Sequence, residues 1–194
     1  RQMCIRDRIM INSFRLLKGR KSKKGFSLLE LLLTLGVIAG IIIAAFIVFP
    51  KVQASQKIDK ESRNITAIQA GVKSLYGGRA KISSLNTDSF IASKNAPDNM
   101  ILDGKLVNEW KGNVSVEYSG NHGKYNIMYD AVPPDACAKL ITAVSGNFVS
   151  ITVYNDNGST DVKNLEEGYG IDITKATAAC ASQESSTVMF TSII

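Results

Sequence analysis

The sequence predicts an α+β fold in which a long N-terminal helix lies against an antiparallel β-sheet. Three observations predict it. From Phe26 to Phe49 run 24 residues whose only charged side chain is Glu30. After Pro50, apolar residues recur at helical spacing at Ile58, Ile65, Ile68, Val72 and Leu75. Beyond residue 110 the apolar period changes to two, the repeat of a half-buried strand.

The helix comes first in the chain. A helix over residues 26–49 would rise ~36 Å at ~1.5 Å per residue, enough to cross a hydrocarbon core of ~30 Å. A cleavable secretory signal is the alternative, but its apolar stretch is typically ~7 to 15 residues, shorter than this run. Pro50 removes one helix hydrogen bond and is expected to kink the helix, which then continues as an amphipathic half. Lys57, Asp59, Lys60, Glu61 and Arg63 are assigned to its other faces, and Gly77-Gly78 is its stop. The expected organisation is a leader over 1–25, an apolar half-helix over 26–52, an amphipathic half over 53–77 and a connecting loop with some short structure over 78–110. A sheet region over 111–194 completes it.

Within that last region Val114, Val116 and Tyr118 alternate, as do Tyr125, Ile127 and Tyr129, around the turn Ser119-Gly120-Asn121-His122-Gly123, which reads as a hairpin. Pro133-Pro134-Asp135 opens a short helix with Cys137, Leu140, Ile141 and Val144 on one side and Gly146 at its end. Val149, Ile151 and Val153 form a further strand turned by residues 155–158, and a last strand lies near Thr187 to Ile193. Laying the apolar sheet face on the amphipathic half-helix buries both.

Charge restricts the function. The chain carries a formal net charge of +6, but residues 1–25 hold nine Lys or Arg and one Asp, leaving 14 basic and 16 acidic side chains in residues 26–194. The folded region is thus slightly acidic, and nucleic acid is not an expected partner. Arg15, Lys18, Arg20, Lys21, Lys23 and Lys24 precede the apolar run and are expected to stay cytoplasmic, with everything after Pro50 exported. Met3 and Met10 are both candidate starts, and residues 1–9 are given no structural weight.

Catalysis is not expected. His122 is the sole histidine, it falls in a turn, and no nucleophile elbow, HExxH or P-loop accompanies it. No metal or cofactor site is expected, because no CxxC or His cluster occurs. Glu166-Glu167 reads as a solvated pair, and Trp110, Tyr118, Tyr125 and Tyr129 as sheet packing. Gly36-Val37-Ile38-Ala39-Gly40 is a GxxxG, which admits close approach of another backbone.

The segment Lys24-Gly25-Phe26-Ser27-Leu28-Leu29-Glu30 strongly resembles the prepilin motif of type IV pilins. The resemblance implies cleavage between Gly25 and Phe26 by a prepilin peptidase, N-methylation of Phe26, and assembly of the helices into a homopolymeric filament through inner-membrane pilus machinery. Before assembly the helix would sit in membrane lipid, with the C-terminal domain in the periplasm; afterwards it would belong to an extracellular pilus. The role would be adhesion, aggregation or mating contact. Phe at the junction fits type IVa; the longer leader and the cysteine-bracketed segment opened by Pro133-Pro134-Asp135-Ala136-Cys137 resemble type IVb, the preferred branch. A minor pilin or secretion pseudopilin shares the processing, and a membrane-tethered enzyme or binding protein is the rival of another class.

Glu30 has a physical reading besides. A carboxylate in a membrane helix is costly, ~2.5 to 3.5 kcal/mol at the helix centre on insertion scales, unless it snorkels to water or finds a partner. On the pilin reading the partner is the Phe26 amine of a neighbouring subunit. Cys137 and Cys180 are the two cysteines of the exported part, Cys4 lying in or before the leader, and in an oxidising compartment they read as one disulfide.

Overall fold

The computed structural model describes residue 25 and residues 27–78, 81–120, 123–181 and 184–194. Helix α1 spans Leu28–Tyr76 and continues without a break through Pro50. Its first hydrogen bond runs from Leu31 N–H to the Ser27 carbonyl, and it ends before Gly77-Gly78, as expected. The chain divides into two compact units, residues 1–45 and 46–194.

In the first unit the described helical residues are all exposed, Leu28, Leu33, Ile41 and Ile43 among them. α1 holds the one stretch among the described residues long and apolar enough to cross a membrane, with a mean hydropathy of 2.9.

The second unit is built on a five-stranded antiparallel sheet. Its strands are β3 (Val114–Tyr118), β4 (Lys124–Val132), β5 (Ser150–Asn155), β6 (Gly158–Asn164) and β7 (Ser186–Ile193), in the order β3-β4-β7-β5-β6. In β7, Ser186, Val188, Phe190 and Ser192 are buried while their neighbours are half-buried or exposed. β4 alternates likewise, burying Tyr125, Ile127 and Tyr129. That face shares one apolar core with Ile58, Ile65, Ile68 and Val72 of α1; Leu75 is half-buried at its margin. Phe190 is the centre of an aromatic group, with the ring of Tyr129 edge-on at 6.1 Å and that of Phe148 at 5.0 Å.

Between helix and sheet, where a connecting loop with some short structure is expected, the chain forms several short elements. It forms the short helix α2 (Thr87–Ala92), single 3-10 turns at Ile82–Ser84 and Asp98–Met100, and a small hairpin of β1 (Ile101–Leu102) and β2 (Lys105–Leu106). Asn86 starts α2 with a full capping box, its side chain accepting from Ser89 N–H, the arrangement that satisfies two otherwise orphaned donors. Phe90 is fully buried and reaches Gly71 of α1. A Cβ at Gly71 would lie 2.5 Å from the Asn95 carbonyl oxygen and 3.0 Å from the Phe90 ring, so only glycine fits.

Helix α3 (Pro134–Val144) has Pro at its first position and buries Cys137, Leu140, Ile141 and Val144 as the spacing predicts. Two elements were not anticipated. β6 returns along β5 after the turn at residues 156–157, and α4 (Ile173–Cys180) follows, capped by Asp172, whose carboxylate accepts from Lys175 N–H at 3.0 Å.

A third difference concerns Glu61, assigned above to an outward face. It is fully buried. The assignment overlooked the seven-residue gap between Ile58 and Ile65: position 61 lies three residues after one and four before the other, on the same stripe.

Candidate functional site

Among the described residues no three His, Cys, Asp or Glu side chains gather as a metal site. The candidate site is a surface, the exposed apolar stretch of α1. Glu30 stands in its first turn, where a carboxylate is favourable beside the partial positive charge of a helix N-terminus. It is exposed, as are Leu29, Leu31, Leu33 and Val37 around it. A helix apolar on every side is found buried, in a protein core or in a membrane, so this surface needs cover that the other described residues do not supply.

Gly25 is described and exposed. Phe26, the basic residues 15–24, Cys4 and His122 lie outside the described residues. Gly36 and Gly40 present open space where a Cβ would stand, so their faces admit a close neighbour.

Cys137 of α3 and Cys180 of α4 are joined by a disulfide, with Cα atoms 5.7 Å apart. Both are buried, so the bridge ties the two helices from within the core. On the loop-entropy model a closed segment of this length, 43 positions of separation, contributes ~4 kcal/mol.

A second organised place lies at residues 108–112, of which the sequence singled out only Trp110, read there as sheet packing; it stands instead in the loop between β2 and β3. Asn108 is buried; its Oδ1 accepts from Trp110 N–H and Gly112 N–H, both at 2.9 Å, and its Nδ2 donates to the Asp130 carbonyl at 2.7 Å. The Glu109 N–H donates to Glu61 Oε1 of α1 at 2.8 Å, and the Glu109 carboxylate pairs with Lys60. A Cβ at Gly112 would come within 1.9 Å of the Asp130 carbonyl oxygen, which fixes glycine where the loop meets the β4 bulge. Asn-x-x-x-Gly was the available sequence signal, too short to be specific.

Burial is the main cause that pushes the Glu61 carboxyl above its ordinary range, with the Glu109 N–H as the largest opposing influence. Burial, then the charge of Glu61, likewise holds the Tyr129 hydroxyl well above its usual value. Glu61 Oε2, Asn64 Nδ2 and the Tyr129 hydroxyl make no hydrogen bond of good geometry, yet the Asn64 side chain and the Tyr129 hydroxyl lie close enough to Glu61 to favour its charged form.

Two solved structures are similar to this chain. A type IV b pilin from Salmonella typhi matches with 22% identity and a TM-score of 0.51, over 68% of this chain and 97% of that one. TcpA, a type IV pilin from Vibrio cholerae El Tor biotype, matches with 13% identity and a TM-score of 0.53, over 70% and 98%. No curated protein sequence is similar enough to match. Apolar helix, antiparallel sheet and these likenesses define the class of fold, that of the type IV pilins. A family model described as PilS N terminal matches residues 55–193, and the chain belongs to that family.

Proposed function

We propose that this chain is the major subunit of a type IVb-like pilus. Residues 1–25 are the leader, a prepilin peptidase cuts between Gly25 and Phe26, and the new Phe26 amine is N-methylated. The precursor is held in the inner membrane by its apolar helix with the folded domain in the periplasm. Inner-membrane machinery then extracts it into a homopolymer in which residues 26–52 form the core, and the exposed domain serves adhesion, aggregation or mating contact.

The observation that carries this reading is the long stretch of α1 that is apolar all round, wholly exposed and broken by one carboxylate, Glu30. Burial of apolar surface, ~25 cal/mol per Å², drives it first into lipid and then against other copies of itself. Glu30 is the group able to neutralise a neighbour's Phe26 amine there. The test is to shear surface filaments, identify their main band and determine its N-terminus by mass spectrometry. This reading expects the chain as the main component, beginning at N-methylated Phe26. A trace component would indicate a minor pilin, and an N-terminus beyond residue 39 or an uncleaved membrane monomer would sink the proposal.

A further inference from the structure

The 108–112 loop carries Trp110, which packs partly buried against the core. Three anchors fix it: Asn108 on the Trp110 and Gly112 N–H groups, Glu61 on the Glu109 N–H, and the close seat of Gly112 on the β4 bulge. The indole is half-buried, and it lines a groove with Pro50, Gln53, Ala54 and Lys57 of α1 and Pro133 before α3. Just N-terminal to that groove on the same helix, Phe46, Ile47, Val48 and Phe49 are exposed, as is Val52. Exposed apolar surface thus runs along α1 up to the tryptophan.

The helix rise sets the depth. Gln53 and Ala54 lie four and five residues past Phe49, ~6 to 8 Å along the axis. The headgroup region outside the hydrocarbon core is roughly 5 to 7 Å thick on each side. Tryptophan prefers that layer, where its ring meets acyl chains and its N–H meets water. Lys51 and Lys57 bring two ammonium groups to the same turns, against the carboxylate of Asp135 at the groove.

We propose that Trp110, held against Pro50, Gln53, Ala54 and Lys57, is a headgroup-level anchor that docks this face of the folded domain on the bilayer its own helix crosses. The inference rests on the membrane-held precursor of the proposed function. Its partner is a lipid surface. The anchor orients the domain before assembly and is surrendered when the helix leaves the lipid.

Trp110 is the only tryptophan of the chain, so its fluorescence reports this contact alone. The experiment reconstitutes the full chain in vesicles of phosphatidylethanolamine and phosphatidylglycerol. Some of the lipids carry bromine near the headgroup or, in a parallel set, near the end of the acyl chain. Retention in the vesicles after alkaline extraction is measured on the same samples. The expected result is a retained chain whose emission is lost strongly to shallow bromine and weakly to deep bromine. A retained chain quenched by neither, but fully open to aqueous iodide, overturns this inference and leaves membrane anchoring intact. Stronger loss to deep bromine overturns the headgroup assignment. A chain that washes out of the vesicles overturns the membrane reading and this inference with it.

Discussion

Glu61 is a carboxylate on the core stripe of α1 that accepts from the Glu109 N–H and lies beside the Asn64 side chain and the Tyr129 hydroxyl. Its folded-state proton affinity is raised, first by burial. Between the ordinary glutamate value of about 4.3 and the raised folded value, the native chain binds more protons than the unfolded chain, and stability falls as pH rises through that window. Thermal unfolding of the soluble region from about pH 4 to about pH 8 should therefore include a declining component that Glu61→Gln removes. The Gln amide oxygen can still accept from Glu109 N–H, whereas Glu61→Ala leaves that donor empty and should cost about 1 to 3 kcal/mol. An unchanged slope in the Gln variant would show that Glu61 is charged in the fold. Gly112→Ala is a second test at this scale. Its Cβ would meet main-chain atoms of Asp130 that no rotamer change can move, so a loss of about 3 kcal/mol or more is expected in a urea melt. Position 61 was legible in the 3-4 spacing once the gap in the stripe was filled. Asn108 was not, because its partners Asp130 and Gly112 meet only after the sheet has formed.

The elements divide the same way. α1, α3 and the β3–β4 hairpin were legible because their signals are local: apolar period, Pro at a helix start, a Gly-rich turn. β6 has weaker alternation, with Val162 and Lys163 both buried next to each other where the register of β5 and β6 shifts. Lys163 keeps its ammonium against the Ser145 carbonyl just past the end of α3, and burial lowers its proton affinity. α4 offered Asp172 as a cap before an Ala-rich run, a signal available in the sequence. Strand order was out of reach, since β7 pairs with both β4 and β5 across long separations that no local pattern encodes. The Cys137–Cys180 bridge acts at this scale. It closes α4 onto α3, and both sulfurs are buried in the core. Reducing it, or replacing both cysteines with Ala, should lower stability by about 2 to 5 kcal/mol, read as a shift in the urea midpoint with and without reductant. Proteolysis of the reduced protein should cut first within residues 165–185. An unshifted midpoint would mean that the core holds the two helices without the bridge.

At the scale of the whole molecule, the described chain combines a domain that covers its own apolar surface with a helical stretch that does not. Leu28, Phe46 and Phe49 are each more than 60% exposed, which no soluble monomer sustains along a whole helix. On the proposed reading, the one charge in that stretch, Glu30, decides between passive anchoring and assembly. Glu30→Val makes the helix more apolar, so insertion into the membrane should be retained or improved, and the Gly25–Phe26 junction is untouched, so leader removal should proceed. In a filament the Phe26 amine of each subunit would then lie in low dielectric without a carboxylate. An unpaired buried charge costs about 3 to 5 kcal/mol, enough at each added subunit to stop growth. Glu30→Asp keeps the charge but shortens the reach, and should restore filaments in part, whereas Glu30→Gln should restore few. Leader cleavage read on a gel and sheared filaments counted by electron microscopy, for all three variants beside wild type, separate processing from assembly. Wild-type filament yield from Glu30→Val would mean that the carboxylate merely reaches water at the membrane edge, and that the subunits are held by apolar contact alone.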